Sequence, residues 1–203
     1  MLEIEMKFRA VDATAFERNV AEKFGATFGA EELEEDLFFR NAANGFPNEG
    51  KSLRIRRRGE FLAATYKGPR VDSTTKTREE LELPLAREAS ATVEEARNAW
   101  IAFFTKLGFE PAARVAKRRR RANFEFEGRR FEATLDRLEG LGTFAELETQ
   151  APSSEFEVGR AATTALAREL GLRESESRSY LALALESAER SPTTEEALAA
   201  DAR

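Results

Sequence analysis

The chain has 203 residues, 41% hydrophobic and 34% charged, with a formal net charge of −5, which suffices for one cored domain and argues against a general nucleic-acid binder. It contains no cysteine and no histidine, which excludes disulfides, thiolate or imidazole metal sites, cysteine nucleophiles and Ser-His-Asp triads. Any metal must be held by oxygen, which points to a hard ion, and the lack of a long apolar run or signal-peptide pattern points to a cytoplasmic protein.

The first segment, residues 2–8, alternates apolar Leu2, Ile4, Met6 and Phe8 with charged Glu3, Glu5 and Lys7. Strand side chains alternate faces, so the two carboxylates and the ammonium share one face. Read alone, this is either a half-buried strand with a solvated face or one wall of a site for a divalent cation and a phosphate.

Asp12 can cap a helix carrying Phe16, Val20 and Phe24, stopped by Gly25. Residues 36–40 read as a short strand, and 41–50, with Asn44-Gly45 and Pro47, as a loop. Strands follow at 52–58 and 60–67, then Gly68-Pro69 opens a polar loop before an extended stretch at 78–83. Thr92 and Glu95 form a capping box for a helix with Val93, Ala96, Trp100, Phe103 and Leu107 on one face, ended by Gly108. Further strands are expected at 113–121, 123–126, 130–138 and 143–149, with Gly128 in a hairpin turn and Gly140 and Gly142 in a bend. Ser154 with Glu157 starts a third helix stopped by Gly171, and 179–188 is a short amphipathic helix. The expected organisation is one α+β domain over 1–188, with 189–203 a mobile tail.

The period-two charge pattern returns along the chain. Arg54 and Arg56 share a face, as do Thr65 and Lys67, then Arg78, Glu80 and Glu82, then Lys117, Arg119 and Arg121, then Glu146 and Glu148. Acids gather in the first and last strands and bases in the middle ones. If the sheet closes, these faces meet across a charged lumen, with the apolar faces outside under helices around Phe16, Trp100 and Leu166. Burying so many ions costs several kcal/mol each, of the order of a whole domain's margin, unless they are paired or hold a ligand. A triphosphate with divalent cations meets that specification. The run 117–121 has a rival reading as a nucleic-acid patch, but alternation puts only half of it on either face, leaving Arg118 and Arg120 as outward residues. Tyr180 reads as a packing residue whose hydroxyl finds a partner.

Together these blocks resemble the CYTH superfamily, the triphosphate tunnel metalloenzymes, which include class IV adenylyl cyclases and thiamine and inorganic triphosphatases. Glu3-x-Glu5-x-Lys7 stands at the family's usual N-terminal place. The match continues through Leu53-Arg54-Ile55-Arg56, Thr65-Tyr66-Lys67-Gly68-Pro69, Arg78-Glu79-Glu80-Leu81-Glu82 and Val115-Ala116-Lys117-Arg118-Arg119. It extends through Leu135-Asp136-Arg137-Leu138-Glu139-Gly140-Leu141-Gly142, Phe144-Ala145-Glu146-Leu147-Glu148 and Ser179-Tyr180-Leu181. The last blocks are most similar to the class IV cyclase branch, although Ala122 stands where relatives often carry an aromatic residue.

The resemblance implies an eight-stranded antiparallel closed β-barrel binding a triphosphate with Mg2+ or Mn2+. It implies Glu3, Glu5, Asp136, Glu146 and Glu148 as metal ligands, and Lys7, Arg54, Arg56, Lys67, Arg78, Lys117 and Arg119 as phosphate contacts. Glu80 and Glu82 line the tunnel, and Glu5 and Lys7 are the implied catalytic residues. ATP, tripolyphosphate or another organic triphosphate is the implied partner, with no specific nucleic acid, no membrane and a homodimer as in the cyclase branch. Three functions stay open: an adenylyl cyclase making cyclic AMP and pyrophosphate, a triphosphatase releasing the terminal phosphate, and a non-enzymatic polyphosphate- or nucleotide-binding module.

Overall fold

The computed structural model describes residues 2–9, 12–41, 43, 51–69, 75 and 77–190. The expected loops at 41–50 and after Pro69 lie mostly outside these residues, as does the tail from residue 191.

Eight strands carry the alternating pattern: β1 (Leu2–Arg9), β2 (Glu32–Arg40), β3 (Ser52–Arg58), β4 (Phe61–Lys67), β5 (Arg78–Pro84), β6 (Glu110–Phe126), β7 (Arg129–Leu138) and β8 (Gly142–Ala151). They close into an antiparallel barrel in the order β1-β5-β4-β3-β2-β6-β7-β8. The two strands expected at 113–121 and 123–126 are one 17-residue strand, β6. Its Ala122 is an outward position 2% exposed, packed in the core rather than breaking the run. β6 and β7 are joined by a two-residue turn in which Glu127 (φ 50°) and Gly128 (φ 71°) both have positive φ, the requirement of a type I′ hairpin.

Helices clothe the outside. In α1 (Ala13–Phe24) the Asp12 side chain accepts a hydrogen bond from Ala15 N, and Gly25 ends the helix in the left-handed conformation. Phe16 and Val20 of α1 join Leu166 of α3 (Phe156–Glu169) over the outer faces of β1, β6, β7 and β8. Burying each such side chain is worth about 1.5–3 kcal/mol. Gly159 lets α3 approach β1, since a Cβ there would stand 2.5 Å from Ile4 Cδ1.

α2 (Val93–Lys106) has the expected Thr92–Glu95 capping box, but its buried face differs from the expected one. Val93, Ala96 and Trp100 pack inward, while Phe103 is 51% and Leu107 56% exposed. At about 100° per residue Phe104 lies about 20° from Val93 and Phe103 about 80° away. Phe104 therefore takes the place, edge-on to Phe39 at 5.3 Å between ring centroids. Leu107 is the C-cap, beyond the packed turns. The start of α3 also departs from expectation: residues Ser153–Glu155 form a 3-10 turn, and Ser154 caps nothing because the α-helical turn begins at Phe156.

α4 (Tyr180–Arg190) begins where Ser179 Oγ accepts a hydrogen bond from Ala182 N. The chain before it runs beside the end of β1, with Glu176 N donating to Lys7 O at 2.6 Å and Phe8 bridging Ser175. This brings Tyr180 and Leu181 against Phe38, Val115, Leu138 and Phe144, all inward-facing strand positions. The barrel interior is thus charged along most of its length but apolar at the end under α4, where the alternation alone implied charge throughout.

Candidate functional site: a charged tunnel

The inward side chains line a cavity of about 680 Å³, inside the range of roughly 300–1,000 Å³ usual for small-molecule sites. Of the site residues expected from sequence, Glu3, Glu5, Lys7, Arg54, Arg56, Lys67, Arg78, Glu80, Glu82, Lys117, Arg119, Glu146 and Glu148 are on its wall. Asp136 is not: it is 1% exposed and lies behind Arg119 and Tyr180. Its Oδ1 accepts from Arg119 Nε at 2.6 Å, and its Oδ2 accepts from Tyr180 Oη at 2.7 Å and from Arg119 Nη2. Burial would raise its pKa, but the Arg119 and Lys117 charges hold it down at about 2.

One wall is acidic. Pairing of β1 with β8 sets Glu5 opposite Glu148, and pairing of β8 with β7 sets Glu148 opposite Glu132. Burial, and then the neighbouring Glu5, Glu132 and Glu80 charges, push the Glu148 carboxyl up to about 7 against the pull of Lys67. Glu3 is likewise raised well above the usual carboxylate range by burial and by a hydrogen bond with Glu80, with Lys67 opposing. Lys67 Nζ donates to Glu3 Oε1 at 2.8 Å and also pairs with Glu80. Glu80 is lowered to about 2, the Glu3 hydrogen bond and the Lys67 and Arg54 charges outweighing burial.

The opposite wall is basic, and two acids of β2 neutralise it. Asp36 accepts from Arg56 Nε at 2.7 Å and Nη2 at 2.8 Å, and from Arg54 Nη1 at 3.2 Å. Glu34, with no exposed surface, lies 3.3 Å from Lys117 Nζ and 3.4 Å from Arg56 Nη1, and pairs with Arg121. Both carboxyls stay well below the usual range despite burial, because Arg54 and Arg56 face Asp36 while Lys117, Arg119, Arg56 and Arg121 surround Glu34. Lys117 is itself lowered, by burial and by the Arg119 and Arg56 charges.

Lys7 joins the walls. Its Nζ donates to Arg178 O at 2.5 Å and lies 4.0 Å from the Tyr180 ring centroid. Arg118 is exposed as expected, whereas Arg120 is half-buried and ties down the chain between α1 and β2, donating to Gly29 O at 3.0 Å.

Three wall and counter-ion residues, Glu34, Asp36 and Glu132, are not singled out by the sequence pattern. The period-two signal is there, in Glu32-x-Glu34-x-Asp36 and Glu132-x-Thr134-x-Asp136, but adjacent Glu35 blurs the first and the second reads as ordinary strand polarity.

Among the described residues no three acidic side chains already stand in a metal-holding cluster. The donor set still fits a hard divalent ion in kind and charge: the Glu5–Glu148–Glu132 row is all carboxylate, and its mutual repulsion is what such an ion relieves.

A closed barrel with a lumen basic on one wall and acidic on the other defines a charged tunnel with room for a polyanion. The chain belongs to the CYTH domain family, whose model matches residues 1–180. This is a family of metal-dependent triphosphate tunnel enzymes. A Methanocaldococcus jannaschii protein carrying the provisional name adenylate cyclase is 32% identical over 148 residues, 73% of this chain and 77% of that one. The structure of the PH1819 protein from Pyrococcus horikoshii superposes with a TM-score of 0.73 at 32% identity, covering 91% of this chain and 98% of that one. A Hippeastrum protein, described as a provisional adenylyl cyclase with a dominant triphosphatase activity, shares the fold at 19% identity, with a TM-score of 0.57 over 90% of this chain and 93% of its own. No helix among the described residues is long and apolar enough to cross a membrane.

Proposed function

We propose that the protein is a cytoplasmic, divalent-metal-dependent enzyme that acts on ATP as a class IV adenylyl cyclase, forming cyclic AMP and pyrophosphate. The observation that carries this reading is that Lys7, Arg54, Lys67 and Arg78 converge on one cavity with the Glu5–Glu148 row. The four cations take the phosphate oxygens and hold the chain of phosphates extended, with Arg54 and Arg78 offering forked donors. Glu3, Glu5, Glu146 and Glu148 are the residues that would hold Mg2+ or Mn2+. When bound, such an ion stabilises charge on the phosphoryl oxygens and makes the attacking hydroxyl more acidic. In the cyclase reaction the ribose 3′-oxygen bonds to the α-phosphorus, the bond to the β-phosphate oxygen breaks, and the hydroxyl proton passes to a carboxylate of the acidic wall.

The M. jannaschii relative's name supports this assignment. So does the apolar stretch of the cavity, Phe38, Leu181, Ala182 and Leu185 beside the Tyr180 ring, which suits an uncharged nucleoside.

Incubation of the purified chain with ATP, tripolyphosphate and thiamine triphosphate, with Mg2+ or Mn2+, tests the proposal. Cyclic AMP with stoichiometric pyrophosphate is expected. Orthophosphate as the main product would make the protein a triphosphatase, and tight binding without product would make it a binding module.

A further inference from the structure

Asp36 lies in the basic wall, 3% exposed, and its hydrogen bonds are to Arg54 and Arg56, the two arginines that the sequence pattern treats alike. Its two oxygens face the Nε/Nη2 edge of Arg56 in the forked geometry that fixes a guanidinium plane. The remaining Arg56 nitrogen, Nη1, faces Glu34 at 3.4 Å. Each nitrogen of Arg56 is therefore turned to a resident carboxylate.

Arg54 differs. Its Nη1 reaches Asp36 at 3.2 Å and its Nη2 is 3.9 Å from Glu80, but its buried Nε has no hydrogen-bond partner among the described residues. A buried donor without a partner is costly, and an incoming phosphate oxygen would supply the partner.

We propose that Asp36 is the positioning residue of the basic wall, holding the Arg54 and Arg56 guanidinia so that Arg54 presents its Nε edge to the bound phosphate chain. This rests on the triphosphate reading above. It divides two arginines that look equivalent in sequence: Arg56 is a structural counter-ion of β2, and Arg54 is the contact. The rival role for Asp36 is a competitor that occupies the arginines until substrate displaces it. The two roles predict opposite effects of removing its charge.

The test is calorimetric titration of inorganic tripolyphosphate, with and without Mg2+, into the full chain and into R54M, D36N and the double variant. R54M is expected to weaken binding about 10–100-fold and D36N about tenfold, with the double variant within about twofold of R54M alone. That non-additivity is what positioning through Arg54 requires, and a merely structural loss would not produce it. Losses that multiply, or tighter binding by D36N, would overturn the proposal. Thermal melts accompany each variant. If D36N does not fold, D36E keeps the charge, moves the fork by one methylene, and is expected to show the same coupling with R54M. Wild-type protein that binds neither tripolyphosphate nor ATP removes the functional reading and this inference with it. Wild-type binding with multiplying losses removes only the role of Asp36.

Discussion

The two walls of the tunnel handle buried charge in opposite ways. On the basic wall, formed by β2, β3 and β6, Glu34 and Asp36 sit among Arg54, Arg56, Lys117, Arg119 and Arg121, so the cations have resident partners before any ligand arrives. On the acidic wall, formed by β1, β8 and β7, Glu5, Glu148 and Glu132 stand side by side and repel one another. A self-neutralised wall can be rigid and preformed. A wall of like charges is relieved only by protonation or by an added cation, so its protonation state is its adjustable feature.

Breaking the neutralised wall should cost the most. Replacing Arg119 with Met leaves Asp136 and Glu146 as buried carboxylates without their guanidinium, an expected loss of about 3–5 kcal/mol read by urea denaturation. An unchanged midpoint would mean that Lys117 and Tyr180 suffice for Asp136.

On the acidic wall, Glu5→Gln should lower turnover by about 10²–10³-fold, as loss of a group that stabilises the transition state does, while the melting temperature stays the same or rises. Full activity in that variant would take Glu5 out of the metal site. Carboxylates held by cations and carboxylates crowded by other acids should also differ in their pH dependence. Asp136 is lowered to about 2, so its contribution is complete above the ordinary 3.8 and lost as pH falls toward 2. Glu148 is raised from 4.5 to about 7, so the native state binds more protons than the unfolded one in between, and stability falls as pH rises through that window. Denaturation midpoints from pH 2 to pH 8 should show both slopes, and Glu148→Gln should shrink the second to the part that Glu3 contributes while leaving the first unchanged.

The smallest expected effect lies behind the acidic wall. Gly159→Ala places a methyl group 2.5 Å from Ile4 Cδ1 and should cost about 1–3 kcal/mol, with turnover reduced only as far as β1 shifts. A variant as stable as wild type would show that Ile4 can change rotamer at no penalty.

Much of this molecule is legible in its sequence because strand side chains alternate with a period of two. The segments 52–58 and 78–83 emerge almost residue for residue as β3 and β5, and the alternation puts Glu3, Glu5, Lys7, Arg54, Lys67 and Arg119 on the inside. Helices are read less securely, since one residue's rotation exchanges Phe103 for Phe104. The lack of histidine and cysteine likewise settles, by composition alone, that a metal held by this chain has oxygen ligands.

Which of the inward charges are already partnered was decided by the tertiary structure. Asp36 meets Arg56 from 20 residues away, Asp136 meets Tyr180 from 44, and Lys7 meets Arg178 from 171. Sequence alternation says which face a side chain occupies, whereas strand order, register and the returning C-terminal helix say what stands opposite. The resemblance implies a metal role for Asp136, and Tyr180 reads as a packing residue whose hydroxyl finds a partner, without the sequence saying that the partner is Asp136. Only the closed barrel brings the two into contact and leaves Glu5 and Glu148 facing the lumen.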